Sequence, residues 1–293
     1  MKQFVFALTL ILAVCLFVSA CNNRGGNNEN AEPAEVAFVL PEVEDVCTQM
    51  DDSLFIAYCR EHFDANSDGK VSMAEVDTVT ELVFKDPLDY EDVEPFHSFK
   101  GIEYFPNLKA LVFEAHQVTS LDVSHNTKLE HLYCSANMID SLDVSKNTLL
   151  KELCCSSCGL TGLDVSKNTE LVLLQCNNNQ IPSLDVSNNT KLIELALSTN
   201  LVSSLDVSNN TELRNLYCVN NQIGSLDVSK LPDLVLLNCE GNQLTSLDVS
   251  KNPKLEWLLC QRNKLTSIDA TNNPKLTVLL ADKDVEIIGY TKR

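Results

Sequence analysis

The chain has 293 residues and a formal net charge of −19, with 41 acidic against 22 basic side chains. So acidic a body excludes nucleic acid and anionic membrane surfaces as direct partners, because both carry charge of the same sign. Nine glycines in the whole chain also exclude a calcium-binding β-roll, whose turns are glycine-rich around each aspartate.

Residues 1–20 have the pattern of a secretory signal: Lys2 supplies the charge, Phe4 to Val18 the apolar run, and Ser19-Ala20 the small residues before a cleavage point. The ending Val18-Ser19-Ala20-Cys21 resembles the lipobox of bacterial lipoproteins. That resemblance implies a lipidated Cys21 as the first mature residue, and an outer-membrane or cell-surface location. A membrane-spanning anchor is the competing reading of the same run, which is barely long enough to span and lacks a positive stop-transfer flank. From residue 21 to 45 the chain is largely polar and aperiodic at first, suited to a flexible tether. Contact with the membrane is therefore expected through the lipid alone.

Residues 46–85 read as a helix-loop-helix cap. Ser53 to Phe63 has apolar residues at helical spacing (Leu54, Phe55, Ala57, Tyr58), and Met73 to Leu82 is expected to form the outgoing helix. Between them, Asp64-Ala65-Asn66-Ser67-Asp68-Gly69-Lys70-Val71-Ser72-Met73-Ala74-Glu75 resembles an EF-hand calcium loop. The resemblance implies one structural calcium ion. Side-chain oxygens of Asp64, Asn66 and Asp68, the Lys70 carbonyl, Ser72 directly or through water, and both oxygens of Glu75 would hold it, with Gly69 at the sharp turn. A single loop and only four methionines favour a cap on an open solenoid end over a calcium sensor. Cys47 and Cys59 belong to an extracytoplasmic compartment on this reading, so they form either a disulfide between the pre-cap segment and the first helix or two unpaired core thiols.

From Leu121 onward Leu-Asp-Val-Ser returns every 21 residues, at Leu142, Leu163, Leu184, Leu205, Leu226 and Leu247, and degenerately at Ile268. Between these segments runs Leu-x-x-Leu-x-Cys-x-x-Asn-x-Ile, as in Leu129, Leu132, Cys134, Asn137 and Ile139. This pattern resembles the leucine-rich repeat and occupies residues 102–281. The resemblance implies an α/β solenoid of 21-residue coils with short parallel strands on a concave face. Period-two alternation over Leu-x-Cys supports one strand per coil, and nine strands at about 4.8 Å make a sheet roughly 40 Å long. A first coil is recognisable at Val79-x-x-Leu82-x-Phe84. An acidic insertion, 86–101, stretches the spacing from Leu82 to Leu111 to 29 residues. Residues 282–293 are left as a C-terminal cap.

The stacked cysteines at the sixth motif position (Cys134, Cys155, Cys176, Cys218, Cys239, Cys260) read as core filling, since one strand spacing is too far for a disulfide. The asparagine column (Asn137, Asn179, Asn200, Asn221, Asn242, Asn263, with Cys158 once) is expected to satisfy backbone groups at the turn leaving each strand. The aspartate column, Asp122 to Asp269, is expected to cap local turns. Taken with Gly101-Ile102-Glu103-Tyr104-Phe105-Pro106-Asn107-Leu108, the whole resembles a family of bacterial leucine-rich-repeat lipoproteins related to internalins. That likeness implies surface binding without catalysis.

Side chains between the strand leucines face solvent. They place Leu236, Trp257, Leu259, Val278 and Leu280 on one patch that holds the chain's only tryptophan. Such a patch marks an interface, unless the tail Val285 to Tyr290 folds over it. Tyr133 and Tyr217 are further ligand candidates on the same face. The five histidines stand in no motif with a serine or cysteine nucleophile. The leading reading is thus a monomeric, non-enzymatic binder of a protein or glycan. A self-associating envelope component and a hydrolase with an unrecognised site are the alternatives.

Overall fold

The computed structural model describes residues 40–88 and 93–291. The signal-like run, Cys21 and the tether as far as residue 39 lie outside the described residues, and all the described helices and strands belong to the unit beginning at Pro41.

Each coil contributes a three-residue strand whose middle leucine points inward. In chain order these are β1 (Glu81–Val83), β2 (Ala110–Val112), β3 (His131–Tyr133), β4 (Glu152–Cys154), β5 (Leu173–Gln175), β6 (Glu194–Ala196), β7 (Asn215–Tyr217), β8 (Leu236–Asn238) and β9 (Trp257–Leu259). Then come β10 (Ser267–Asp269), β11 (Val278–Leu280) and β12 (Glu286–Ile288). Among the described residues β1 to β9 and β11 form one ten-stranded sheet, in sequence order, with every neighbouring pair parallel. The register pairs leucine with leucine: Leu111 with Leu132, Leu132 with Leu153, and so on to Leu279. β1 joins with Leu82 opposite Leu111, so the insertion lengthens the connection without displacing the strand.

Two asparagine ladders hold the stack. At the turn leaving the strand, Asn179 Nδ2 donates to Cys155 O and Cys176 O, both at 3.0 Å, while its Oδ1 accepts from Leu160 N at 3.0 Å and Cys158 N at 3.1 Å. Both donations, and the acceptance that Leu160 N makes here, recur at Asn200, Asn221 and Asn242. Cys158 breaks this ladder: its thiol donates to Cys134 O at 3.2 Å as the amide would, but it has no carbonyl oxygen to offer Ile139. A second ladder, unread in the sequence, stands after the Asp-Val-Ser segment. There Asn147 Nδ2 donates to Val123 O and Asn126 O of the coil before, at 3.0 and 2.9 Å, and Asn168, Asn189, Asn210, Asn252 and Asn273 repeat it. These side chains satisfy carbonyls that an interior of leucine, valine and cysteine could not.

The aspartate column forms local turns: in each coil Asp Oδ1 accepts from the backbone N–H two residues on, as in Ser145 to Asp143 at 2.8 Å and Ser187 to Asp185 at 2.9 Å. Those bonds hold the carboxyls of Asp143 and Asp185 below their ordinary range. The cysteines of the sixth position are buried free thiols, and burial pushes Cys176, Cys218 and Cys260 up to about 12.

The N-terminal end is closed by an aromatic cluster around α1 (Ser53–Phe63). Phe55 lies at the centre, with ring centroids 5.1 Å from Phe99 and 6.2 Å from Phe84 and Phe105. Asp52 sets this geometry. Its Oδ1 caps α1 through Leu54 N and Phe55 N (2.8 and 3.0 Å), and its Oδ2 accepts from His97 N and Ser98 N (2.7 and 3.3 Å). Segment 86–101 is therefore only partly an acidic insertion: Phe96 and Phe99 are buried in the cap, while residues 89–92 lie outside the described residues. The expected outgoing helix is shorter than its periodicity suggested. α2 (Met73–Val76) makes one turn, because residues 81–83 are needed as β1. Cys47 and Cys59 are both buried free thiols here, the first pushed up to about 11 by burial and the second further still. At the other end the described part of the tail leaves Trp257 exposed. It supplies β12, which pairs with β10 on the Leu-Asp-Val-Ser side.

His116 ties the aromatic cap to the first coils. It is 3% exposed, its Nδ1 accepts from Phe96 N at 3.1 Å, and burial lowers its pKa to about 4 from 6.5. A proton on Nδ1 would set two donors against each other. Below pH 6.5 the unfolded chain takes up a proton that the folded chain refuses, so stability falls as pH drops from 6.5 toward 4. The loss should reach roughly 2–3 kcal/mol. Thermal melts across that window should show a steeper decline for the wild type than for His116→Gln, which retains an acceptor for Phe96; parallel declines would remove His116 as the cause.

Candidate functional site

The outward side chains of the sheet form two columns, set by strand alternation. From β2 to β11 the first reads Ala110, His131, Glu152, Leu173, Glu194, Asn215, Leu236, Trp257, Val278. The second reads Val112, Tyr133, Cys154, Gln175, Ala196, Tyr217, Asn238, Leu259, Leu280. The face divides along its length into a polar stretch and an apolar one.

The apolar stretch is at the C-terminal end. Register places Leu236, Trp257 and Val278 side by side, and Leu259 beside Leu280. Trp257 is 45% exposed and Leu280 42%, with Leu236, Leu259 and Val278 half-buried. Beside this end Tyr290 Oη of the tail donates to Thr277 O at 2.9 Å. All the patch residues expected from the sequence are thus brought together. Tyr133 and Tyr217 stand apart from them, on β3 and β7.

The polar stretch is a chain of hydrogen bonds between neighbouring coils. Glu152 Oε2 lies 3.2 Å from His131 Nδ1 and also accepts from Tyr133 Oη. The bond from His131 lowers the Glu152 carboxyl against the opposing effect of burial, and Glu152 in turn raises His131. Two strands on, Glu194 is gripped at both oxygens: Gln175 Nε2 donates to Oε1 at 2.9 Å and Asn215 Nδ2 to Oε2 at 3.2 Å. Burial, and then the charge of Glu194, raises the Tyr217 hydroxyl. Cys154 and Ala196, each 5% exposed, form a low floor between the two tyrosines. Sequence reading named the tyrosines and missed this network. Its signal was present in the spacing, since Gln175 and Glu194 are 19 apart and Glu194 and Asn215 are 21 apart, which makes them neighbours on adjacent coils.

The loop between α1 and α2 holds the candidate metal ligands. Asp64 accepts from Asp68 N (3.1 Å) and Gly69 N (2.8 Å), Asn66 Oδ1 from Asp68 N (2.8 Å), and Asp68 Oδ1 from Lys70 N (2.9 Å). Glu75 bridges the two ends of the loop, accepting from Ala65 N and Asn66 N at one oxygen and from Ser72 N and Ser72 Oγ at the other. Ser72 bonds lower its carboxyl first. Gly69 has φ +83° with open space where a Cβ would stand. The Lys70 ammonium pairs with Glu44 at 2.9 Å. Val71 O accepts from Val46 N at 2.8 Å, which fastens the loop to the segment before the cap. Among the described residues no three or more His, Cys, Asp or Glu side chains are gathered as a ready metal cage. The donors are nevertheless all hard oxygens crowded on backbone amides between residues 65 and 72, the chemistry calcium takes. Cys21 lies outside the described residues.

No family model matches the chain, and no curated protein sequence matches it either. Its likeness is to solved structures. A leucine-rich-repeat protein of Leptospira interrogans superposes with a TM-score of 0.65 at 24% identity, over 73% of this chain and 57% of that one. An internalin C2 of Listeria monocytogenes gives 0.63 at 20% identity, over 83% of this chain and all of that one. An internalin F of the same organism gives 0.52 at 22%, over 86% and 87%. This chain spans little more than half of the Leptospira protein. At these identities the likeness shows the fold: the parallel-strand solenoid of leucine-rich-repeat and internalin proteins.

Proposed function

We propose that this chain is a non-catalytic recognition module, tethered to the bacterial cell envelope by a lipid on Cys21, that binds a protein or glycan on the exposed face of its sheet. The observation that carries this reading is the apolar patch around Trp257, open to solvent across β8, β9 and β11 while the tail closes the stack elsewhere. A parallel solenoid offers an extended surface of this kind. Catalysis has no support on that face. The Cys154 thiol donates to Gln175 Oε1 at 3.7 Å instead of meeting His131, and burial raises its pKa well above the usual thiol range. A nucleophile would need the opposite on both counts.

Calcium is proposed as a structural ion of the N-terminal cap, with Asp64, Asn66, Asp68 and Glu75 as side-chain ligands, the Lys70 carbonyl and Ser72 completing the set. When bound it would supply no chemistry beyond joining the two ends of the loop, as Glu75 does through backbone amides. An isolated loop of this charge suggests an affinity of roughly 10⁻⁵ to 10⁻³ M.

The reading is tested on the binding face. The chain from residue 40 onward is screened against protein and glycan arrays, and Trp257→Ala is compared with the wild type. Loss of a central anchor should cost at least about 2 kcal/mol, roughly thirtyfold in affinity, with the melting temperature nearly unchanged. Undiminished capture, or an equally large loss of stability, would remove Trp257 as the anchor.

For calcium, Glu75→Gln keeps one accepting oxygen for the capping box but turns a donor NH2 toward the amides at the other end of the loop, so it should melt somewhat below the wild type in chelator. The gap should widen once calcium is added. Equal calcium shifts in both proteins would clear the loop.

For the anchor, Cys21→Ser should move the protein from the membrane fraction to the soluble one. Retention with an uncut N-terminus would make Phe4 to Val18 a spanning segment.

A further inference from the structure

The outward positions of β2 to β9 and β11 hold two carboxylates, Glu152 and Glu194, and no lysine or arginine. Their situations differ. Glu152 faces the imidazole of His131 at 3.2 Å and a tyrosine hydroxyl. Among the described residues Glu194 is held by the neutral amides of Gln175 and Asn215, one at each oxygen. Each of its oxygens retains a further lone-pair direction. Ala196, on the same strand, is small and buried, and Tyr217 stands opposite it on the next strand. A carboxylate fixed in orientation, one strand from an aromatic ring, matches a planar guanidinium or an ammonium, which pairs with the carboxylate and packs on the ring.

We infer that Glu194, with Gln175, Asn215, Ala196 and Tyr217, is a subsite for an arginine or lysine side chain of a protein partner whose apolar side chain docks on Trp257. The inference rests on the proposed binding role of this face. It adds the chemical class of partner: a peptide segment carrying a basic and an apolar residue, which excludes a neutral glycan from this end of the face. From β6 to β9 is three strand spacings, about 14 Å, or about four residues of extended chain. The net charge of −19 favours the same kind of partner at long range.

The test uses the full chain as bait for a displayed library of random peptides, with Trp257→Ala, Glu194→Gln and the exposed Glu212→Gln as comparison proteins. Peptides that depend on Trp257 should carry arginine or lysine about four residues from an apolar residue. They should bind Glu194→Gln about tenfold more weakly, lose affinity as salt rises, and bind Glu212→Gln unchanged. Trp257-dependent peptides without basic residues and indifferent to Glu194→Gln would overturn the subsite while leaving the binding face in place. Recovery of no peptide that depends on either residue would overturn both. Matched melting temperatures for Glu194→Gln and the wild type assign a weakened affinity to the lost charge and not to the fold.

Discussion

The constraint on which the rest depends is the satisfaction of backbone groups between coils. A strand of three residues gives few ladder bonds, and the chain must turn back toward the next coil through an apolar interior. Carbonyls exposed there would cost more than the leucine contacts could offset. In most coils two asparagines, one at each corner, answer this, with Cys158 and Leu231 as exceptions. The first amide bonds carbonyls of its own coil and the one before, and the second bonds two carbonyls of the one before, so the spacing of 21 residues is enforced twice per turn. The flat register of the sheet, the stacking of the cysteines and the alignment of the outward columns follow from that spacing.

Much of the fold is legible because a repeat states its geometry many times. The strands, their order and the leucine register can be read from Leu111, Leu132 and Leu153 alone, and the place of β1 survives an insertion because Leu82 remains in pattern. What is spoken once is harder to read. Met73 to Leu82 has helical periodicity, but pairing of residues 81–83 with β2 overrides it after one turn. Phe96 and Phe99 come after an acidic run and look like part of a solvated loop. Only the pocket around Phe55, with Asp52 reaching two backbone amides, draws them inward.

The binding face shows the same division. The apolar patch is visible in sequence because hydrophobic residues at solvent positions are conspicuous. The grip on Glu194 is not, because glutamine and asparagine at outward positions look like ordinary solubilising residues. Their function lies in reach: at one strand spacing, a side-chain amide on either flank spans to the carboxylate. A column of polar residues on a solenoid is thus a set of neighbours, and the carboxylate without a cation among them is the one that has kept its charge available.

The break at Cys158 has a mechanical side. Coils stacked in one dimension share load only with their immediate neighbours, so the strength of the whole array under tension is that of its weakest seam. At the seam between the coils of Ile139 and Cys158, a thiol replaces an amide that elsewhere holds both partners, as Asn179 holds Leu160 N and Cys155 O. Pulled along its axis, the array would be weakened there and again where Leu231 replaces the second-ladder amide that donates to carbonyls of the coil before, as Asn210 and Asn252 do. A break at Cys158 would leave the aromatic cap and first coils on one side, and the Glu194 and Trp257 surface, still assembled, on the other.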